Sequence, residues 1–189
     1  MQEIRIHGRG GQGSVVTAEL LAIAAFQSGL FSQAFPYLGG GGERRGAPVQ
    51  AFCRMDDAPI QVKCQIKEPG YVIVQDDSLL DLVDVFQGLK PDGVVLINSD
   101  KKPAELNLDD AYFKVYTFGA TDVALRVLKK PITNTALLGA FAAITGLVEL
   151  EPLERAVYDK FSEDVGKPNV SAMVEAFNMI MSSGGGSAK

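Results

Sequence analysis

The chain opens on a short β pattern, a glycine-rich turn and a long apolar helix pattern, and that order constrains the rest of the fold more than any other feature. Ile4 and Ile6 alternate on a strand that runs into Gly8-Arg9-Gly10-Gly11-Gln12-Gly13, and the helix pattern starts at Ser14. Glycines in such a turn permit positive φ and close backbone approach, and the free N–H groups of the helix start favour anions. The spacing of Gly8, Gly10 and Gly13 is G-x-G-x-x-G, the spacing that cradles a dinucleotide pyrophosphate. Such a site also wants an acidic residue about 20 residues further on to hold a ribose. That region reads Leu30-Phe-Ser-Gln-Ala-Phe-Pro-Tyr37, and the first acid after Glu19 is Glu43. The motif alone leaves three readings: a turn that packs helix on sheet, a phosphate site, or polar groups aimed at a partner surface.

The rest of the chain reads as α/β. The first helix, from about Ser14 to Ser28, carries Val15, Val16, Leu20, Leu21, Ile23 and Phe26 around almost its whole circumference. A helix apolar all round is buried all round, so a second chain is expected to cover one side. Four glycines, Gly39 to Gly42, precede Glu43, Arg44 and Arg45 in a loop with a forked, permanently charged tip. Val49–Met55 and Ile60–Ile66 alternate about the turn Asp56–Pro59, which predicts a β-hairpin and therefore a sheet that is not purely parallel. Tyr71–Gln75, Val94–Asn98 and Lys114–Phe118 are apolar strand patterns. Between and after them come a helix over Leu79–Phe86, capped by Asp76, Asp77 and Ser78, and another over Thr121–Leu128. Strands of this kind alternating with helices indicate a sheet covered on both faces.

The last third is helical. Asn134 is placed to cap an apolar helix over Thr135–Thr145, Pro152 to open a second, and Asn169 to begin a third. The expected architecture is a three-layer α/β/α sandwich with a mixed, mostly parallel sheet. It forms a single domain over residues 1–181, followed by a flexible Gly/Ser-rich tail over 182–189.

Composition excludes several functions. A net charge of −5 argues against broad nucleic-acid binding. The longest apolar run, Ala136 to Ile144, is far short of the ~20 residues of a membrane span. No signal peptide is visible, so a cytoplasmic location is the expectation. Cys53 and Cys64 are the only cysteines and His7 the only histidine, too few for a four-iron cluster or a structural zinc site. Buried free thiols and a hydrogen-bonded structural histidine are expected. No nucleophile–base constellation is visible, and the pairs Asp56-Asp57 and Asp76-Asp77 fall at turns and caps.

Several segments together resemble a known family, the γ subunits of 2-oxoacid:ferredoxin oxidoreductases, of which the pyruvate enzyme is the best known. They are Gly8–Gly13, Phe35-Pro36, Glu43-Arg44-Arg45-Gly46-Ala47-Pro48, Tyr71–Asp76, and Asn134-Thr135 with Leu138-Gly139-Ala140. The run Gly39 to Gly42 is longer in glycine than the family pattern. The resemblance implies an enzyme that converts a 2-oxoacid, pyruvate or an aromatic or branched-chain one such as phenylglyoxylate, to acyl-coenzyme A and CO2. It further implies thiamine diphosphate, Mg²⁺, four-iron clusters and coenzyme A in the complex, held mainly by α, β and δ subunits. Ferredoxin, or NAD through a flavin subunit, would accept the electrons. This chain would hold no cofactor alone and would be an obligate part of an enzyme, inactive by itself.

Arg9, Gly10, Gly11, Gln12, Gly13, Arg44, Arg45 and Asn134 are the candidate cofactor-facing residues, because an arginine fork beside a helix N-terminus suits a phosphate or a carboxylate. The competing expectation is a stand-alone dinucleotide-binding protein of Rossmann type.

Overall fold

The structure, a computed structural model, describes residues 1–37, 45–108 and 112–184. β1 (Gln2–Arg9) lies inside a six-stranded sheet that completes itself among those residues. On one side β1 pairs parallel with β4 (Tyr71–Val74), followed by β5 (Val94–Asn98) and β6 (Lys114–Phe118), also parallel. On the other it pairs antiparallel with β3 (Pro48–Asp56), and β3 in turn with β2 (Phe31–Tyr37). The helices are α1 (Ser14–Gln27), α2 (Ala120–Leu128), α3 (Asn134–Thr145), α4 (Leu150–Lys160) and α5 (Glu163–Ser182). The α/β class, the mixed sheet and the single domain all follow the expectation.

The antiparallel half departs from the predicted hairpin. β3 has its two edges filled by β1 and β2, so residues 60–66 find no free ladder. They run as irregular chain, held by Gln33 Nε2 donating to the Ile60 carbonyl at 3.2 Å and Arg54 Nη1 to the Val62 carbonyl at 3.4 Å. Arg54 itself is 1% exposed. Its Nε donates to Glu3 Oε1 at 3.0 Å, and its guanidinium lies 5.3 Å from the Phe35 ring centroid. A buried guanidinium persists only with such partners. Cys64 is consequently exposed, against expectation. Cys53 is buried under α1, and burial pushes its thiol up to about 12.

The two faces of the sheet are covered differently. Ile4, Ile6, Cys53, Ile73 and Leu96 pack against α1, α3 and their neighbours. On the opposite face Val72, Val74, Val95 and Ile97 meet Leu79, Val85 and Leu89 from the β4–β5 connection. That connection is not the predicted helix. It forms one 3₁₀ turn over Asp77–Leu79 and then successive turns, with Asp84 Oδ1 accepting from the Phe86 N–H at 3.0 Å. Aspartates that bond nearby backbone compete with helix formation in this way. The third layer at that point is therefore built of turns and one 3₁₀ helix, with no α-helix.

Arg5 pins this layer to the sheet. Its Nη2 donates to the carbonyls of Val85 and Gln87 at 3.0 and 2.7 Å, and its Nε to His7 Nε2 at 2.9 Å. His7 must be neutral to accept that bond. Burial, and then the Arg5 charge, push its pKa down to about 3. An unfolded histidine titrates near pH 6.5, so the unfolded chain binds the extra proton first as pH falls. Stability is expected whole above about 6.5 and lost toward 3, by at most about 1.4 kcal/mol per pH unit. Urea midpoints measured from pH 7.5 to 5 should fall in the wild type and fall less in His7→Gln. Equal slopes would contradict the buried neutral histidine.

The apolar helices are covered by the chain itself. α1 packs on β2, β3, α3 and α4, leaving Phe26 71% exposed near its C-terminal end. α3 is buried from Asn134 through Ile144, with α5 along it. A second chain is thus not needed to explain the apolar circumference of either helix. α5 begins six residues before Asn169, whose side chain accepts from Thr135 Oγ1 at 3.0 Å and so braces α3. Pro152 is the third residue of α4 rather than its first. Residues 185–189 of the expected tail lie outside the described residues.

Candidate functional site

The chain leaves β1 toward β2 and β3 on one side, while β4 lies on the other, and open α/β sheets bind ligands in the crevice at such a switch point. The turn Gly8–Gly13 occupies that end of β1. Gly11 and Gly13 take left-handed φ values of 92° and 75°, which side chains resist. A Cβ on Gly8 would collide with Ser14 Oγ and Gln75 Oε1. Those two atoms are hydrogen-bonded at 2.6 Å, and Gln75 Nε2 donates to Thr17 Oγ1 at 3.0 Å.

Asn134 is the first residue of α3 and not its cap; the cap position is Thr133, which makes no side-chain cap bond. Asn134 instead closes the turn. Its Nδ2 donates to the carbonyls of Gln12 and Gly13 at 3.1 and 2.8 Å and to Thr17 Oγ1 at 3.1 Å. Satisfying buried carbonyls this way locks α1, α3 and the turn into one unit.

The arginine of the turn is already engaged. Arg9 Nε donates to Asp76 Oδ2 at 3.1 Å, Nη1 to the Gly46 carbonyl at 3.0 Å and Nη2 to Ser78 Oγ at 2.6 Å. Gln12 Nε2 also donates to Asp76 Oδ2, at 2.9 Å, while its Oε1 accepts from the Arg9 N–H at 2.8 Å. Burial pushes the Asp76 carboxyl up. Hydrogen bonds from Ser78 and Gln12 and the Arg9 charge outweigh it, leaving the pKa below the usual carboxylate value. The anion beside this turn is the protein's own.

Arg9, Gly10, Gly11, Gln12, Gly13 and Asn134 are thus brought together. Arg45 borders them: Gly10 forms a parallel bridge with it, and the Gly10 and Gly46 N–H groups bond the Ala47 and Gly10 carbonyls. The Arg45 side chain is exposed. Arg44, with Gly39–Glu43, lies outside the described residues. Asp76, Gln75 and Thr17 were not among the residues singled out as candidates. The available signal was a polar pair, Gln75-Asp76, closing a continuous apolar strand.

Beside the turn is a cavity of about 330 Å³ lined by Gln75, Asp76, Asp77, Asn98, Asp100, Thr133 and their neighbours. Three carboxylates and no described cation line it. A diphosphate would be repelled there, so these residues do not fit one. A larger cavity, about 910 Å³, lies along the exposed side of α5 and shares no residue with the turn.

Fold and site together define an α/β domain whose glycine turn is closed on an internal carboxylate. The model of the pyruvate ferredoxin/flavodoxin oxidoreductase family matches residues 3–179, and the chain belongs to that family. It is 51% identical over 181 residues to the pyruvate synthase subunit PorC of Methanocaldococcus jannaschii, covering 96% of this chain and 98% of the relative. It is 52% identical over 180 residues to the common γ subunit of the pyruvate/ketoisovalerate oxidoreductases of Thermococcus kodakarensis, covering 94% and 96%. The crystal structure of the pyruvate oxidoreductase subunit PORC of Thermotoga maritima superposes with a TM-score of 0.79 at 34% identity, covering 94% of this chain and 95% of that one. The resemblance to γ subunits read from the turn and the Glu-Arg-Arg-Gly-Ala-Pro segment is borne out over nearly the whole chain.

Proposed function

We propose that the chain is the γ subunit of a multi-subunit enzyme that oxidatively decarboxylates a 2-oxoacid to acyl-coenzyme A and CO2 in the cytoplasm. The observation that carries this reading is the 51% identity to a pyruvate synthase subunit over nearly both full lengths. Pyruvate is the favoured substrate, and a branched-chain oxoacid is the next, since one relative is named as common to pyruvate and ketoisovalerate enzymes. The electron acceptor in this reading is ferredoxin, or NAD through a further flavin subunit.

Within such a complex thiamine diphosphate with Mg²⁺ supplies the carbon chemistry and four-iron clusters the electron path. The α, β and δ subunits hold them. This chain's cysteines suit neither role: Cys53 is enclosed with its thiol pushed up to about 12, and Cys64 is a single exposed thiol. Its contribution is a rigid edge built by Asp76, Gln75 and Asn134 around the glycine turn. The acidic cavity and the engaged Arg9 weigh against a stand-alone dinucleotide-binding protein.

Arg9 and Arg45 have separable roles in this reading. Arg9 holds the turn, so Arg9→Ala should destabilise the free chain by about 1–2 kcal/mol, as loss of a charged hydrogen-bonding group does. Arg45 is free to face a phosphate of coenzyme A or a partner carboxylate. Arg45→Ala should leave the melting temperature of the free chain unchanged. It should also raise the KM for coenzyme A or weaken assembly. Unchanged kinetics and assembly in Arg45→Ala would make it a solvated surface residue. Affinity purification under anaerobic conditions tests the whole reading: larger, brown, iron-bearing chains should accompany this one, and a colourless single chain would contradict it.

A further inference from the structure

The strand pattern over residues 60–66 has no use in the free chain. Ile60-Gln-Val-Lys-Cys-Gln-Ile66 alternates apolar and polar residues, and no proline interrupts it. Both edges of β3 are taken, so the segment lies over Gln33 and Arg54 as an unpaired strap. Ile66 is 3% exposed and ties down its far end, while residues 61–65 are all exposed. Among the described residues, no backbone N–H of residues 60–66 finds a hydrogen-bond partner. The anchors show which way the backbone points. The carbonyls of Ile60 and Val62, two residues apart, both accept from side chains beneath, Gln33 Nε2 and Arg54 Nη1. In extended chain, groups two residues apart share a direction and the groups between them face the opposite way. The N–H and carbonyl groups of Gln61 and Lys63 therefore point outward, as an open ladder edge.

A second observation is independent of this edge. Gln33 Oε1 is the buried side-chain polar atom without a partner among the described residues. The Gln33 amide holds Ile60 through Nε2 alone, so the seat of the strap is one hydrogen bond short. A buried acceptor left unmet costs free energy.

We propose that residues 60–66 pair, by strand addition, with an extended acidic segment of a neighbouring subunit of the oxidoreductase complex, a proposal that rests on the γ-subunit reading. The main chain of Gln61 and Lys63 supplies the ladder. Pairing that presses the strap onto Gln33 brings a backbone N–H to the unmet acceptor. Lys63 and Lys67 are exposed and have no ion pair among the described residues, so carboxylates beside the ladder complete the recognition. A second copy of this chain suits the edge less. Pairing strap with strap would gather both lysines of each copy on one ladder, and like charges there are destabilising.

The test uses the full chain, free and in the assembled complex. Hydrogen exchange of residues 60–66 is followed in both states, and the dissociation constant from the complex is measured for wild type, Lys63→Ala and Lys63→Pro. In the complex these amides should exchange at least tenfold more slowly than in the free chain. Proline removes an outward N–H that the free chain does not bond. Lys63→Pro should thus keep the wild-type melting temperature and raise the dissociation constant tenfold or more beyond Lys63→Ala. Lys63→Ala should weaken assembly severalfold at low salt and match wild type at high salt, where the charge is screened. Should Lys63→Pro melt early, the exchange measurement decides. Equal exchange in the two states overturns the inference and leaves the γ-subunit reading intact. A folded Lys63→Pro that assembles as Lys63→Ala does also overturns it, because side chains and not a ladder then make the contact. Wild-type assembly of Lys63→Ala at low salt overturns the acidic partner. Protection that appears in the free chain as its concentration rises overturns the inference in favour of a second copy. A wild-type chain that joins no complex overturns both readings.

Discussion

Gly139→Ala should destabilise the free chain by about 3 kcal/mol or more, the upper end of what overpacking a core costs. The sign is not obvious from the residue. Glycine inside a helix is normally worth about 1 kcal/mol less than alanine, so the same change elsewhere stabilises. Here α3 and α5 approach so closely that the new Cβ would overlap the Met173 carbonyl, with the carbonyl carbon at 2.8 Å and Cα at 3.1 Å. These are backbone atoms of a packed helix and cannot swing aside. Moving α5 would open the core that Met173 and Ala176 close over α3. Gly29→Ala provides the contrast. Gly29 has φ 87° with nothing within 4 Å of a Cβ, so only left-handed strain is added, about 1–2 kcal/mol. Chemical denaturation of both variants distinguishes the mechanisms. A Gly139→Ala chain as stable as wild type would mean that the helices stand further apart.

Leu20→Asp and Leu138→Asp should each unfold the free chain, without any partner present. Both side chains are fully enclosed by the chain's own elements. An unpaired buried carboxylate costs several kcal/mol, comparable with the roughly 5–15 kcal/mol of a whole domain. Phe26→Ser, on the same helix as Leu20 but 71% exposed, should change stability by less than about 0.5 kcal/mol. Circular dichroism of the three variants is the check. A folded Leu138→Asp would place α3 at a surface. These outcomes separate core from subunit contact, which the apolar pattern of α1 and α3 could not do.

Much of the fold was legible because its elements announce themselves locally. The strand–glycine–helix opening, the strands β4, β5 and β6, and the apolar stretch of α3 follow from periodicity and capping residues within each segment. The misreadings came from non-local competition. Residues 60–66 alternate as a strand should, yet β1 and β2 had filled both edges of β3, and strand pairing cannot be seen from one segment. Leu79–Phe86 has helical content, but Asp76 and Asp84 satisfy nearby backbone and break it into turns. The site was half legible for the same reason. Glycine spacing located the turn, and Arg9 and Gln12 stood out as polar groups in it. That both point at Asp76 depends on β4 lying beside β1, 67 residues away from Arg9 in sequence. Asn134 was singled out, but its bonds to the Gln12 and Gly13 carbonyls require α3 to arrive at the turn from the far end of the chain.

Reconstitution tests most directly whether this chain is a structural subunit of a 2-oxoacid oxidoreductase. The other subunits, prepared without it, should reduce ferredoxin with pyruvate and coenzyme A slowly or not at all, and adding the purified chain should restore turnover. Iron, acid-labile sulfide and thiamine diphosphate should all be found with those other subunits and none with this chain alone. Full turnover without it, or stoichiometric iron or NAD(H) bound by the isolated chain, would contradict the account.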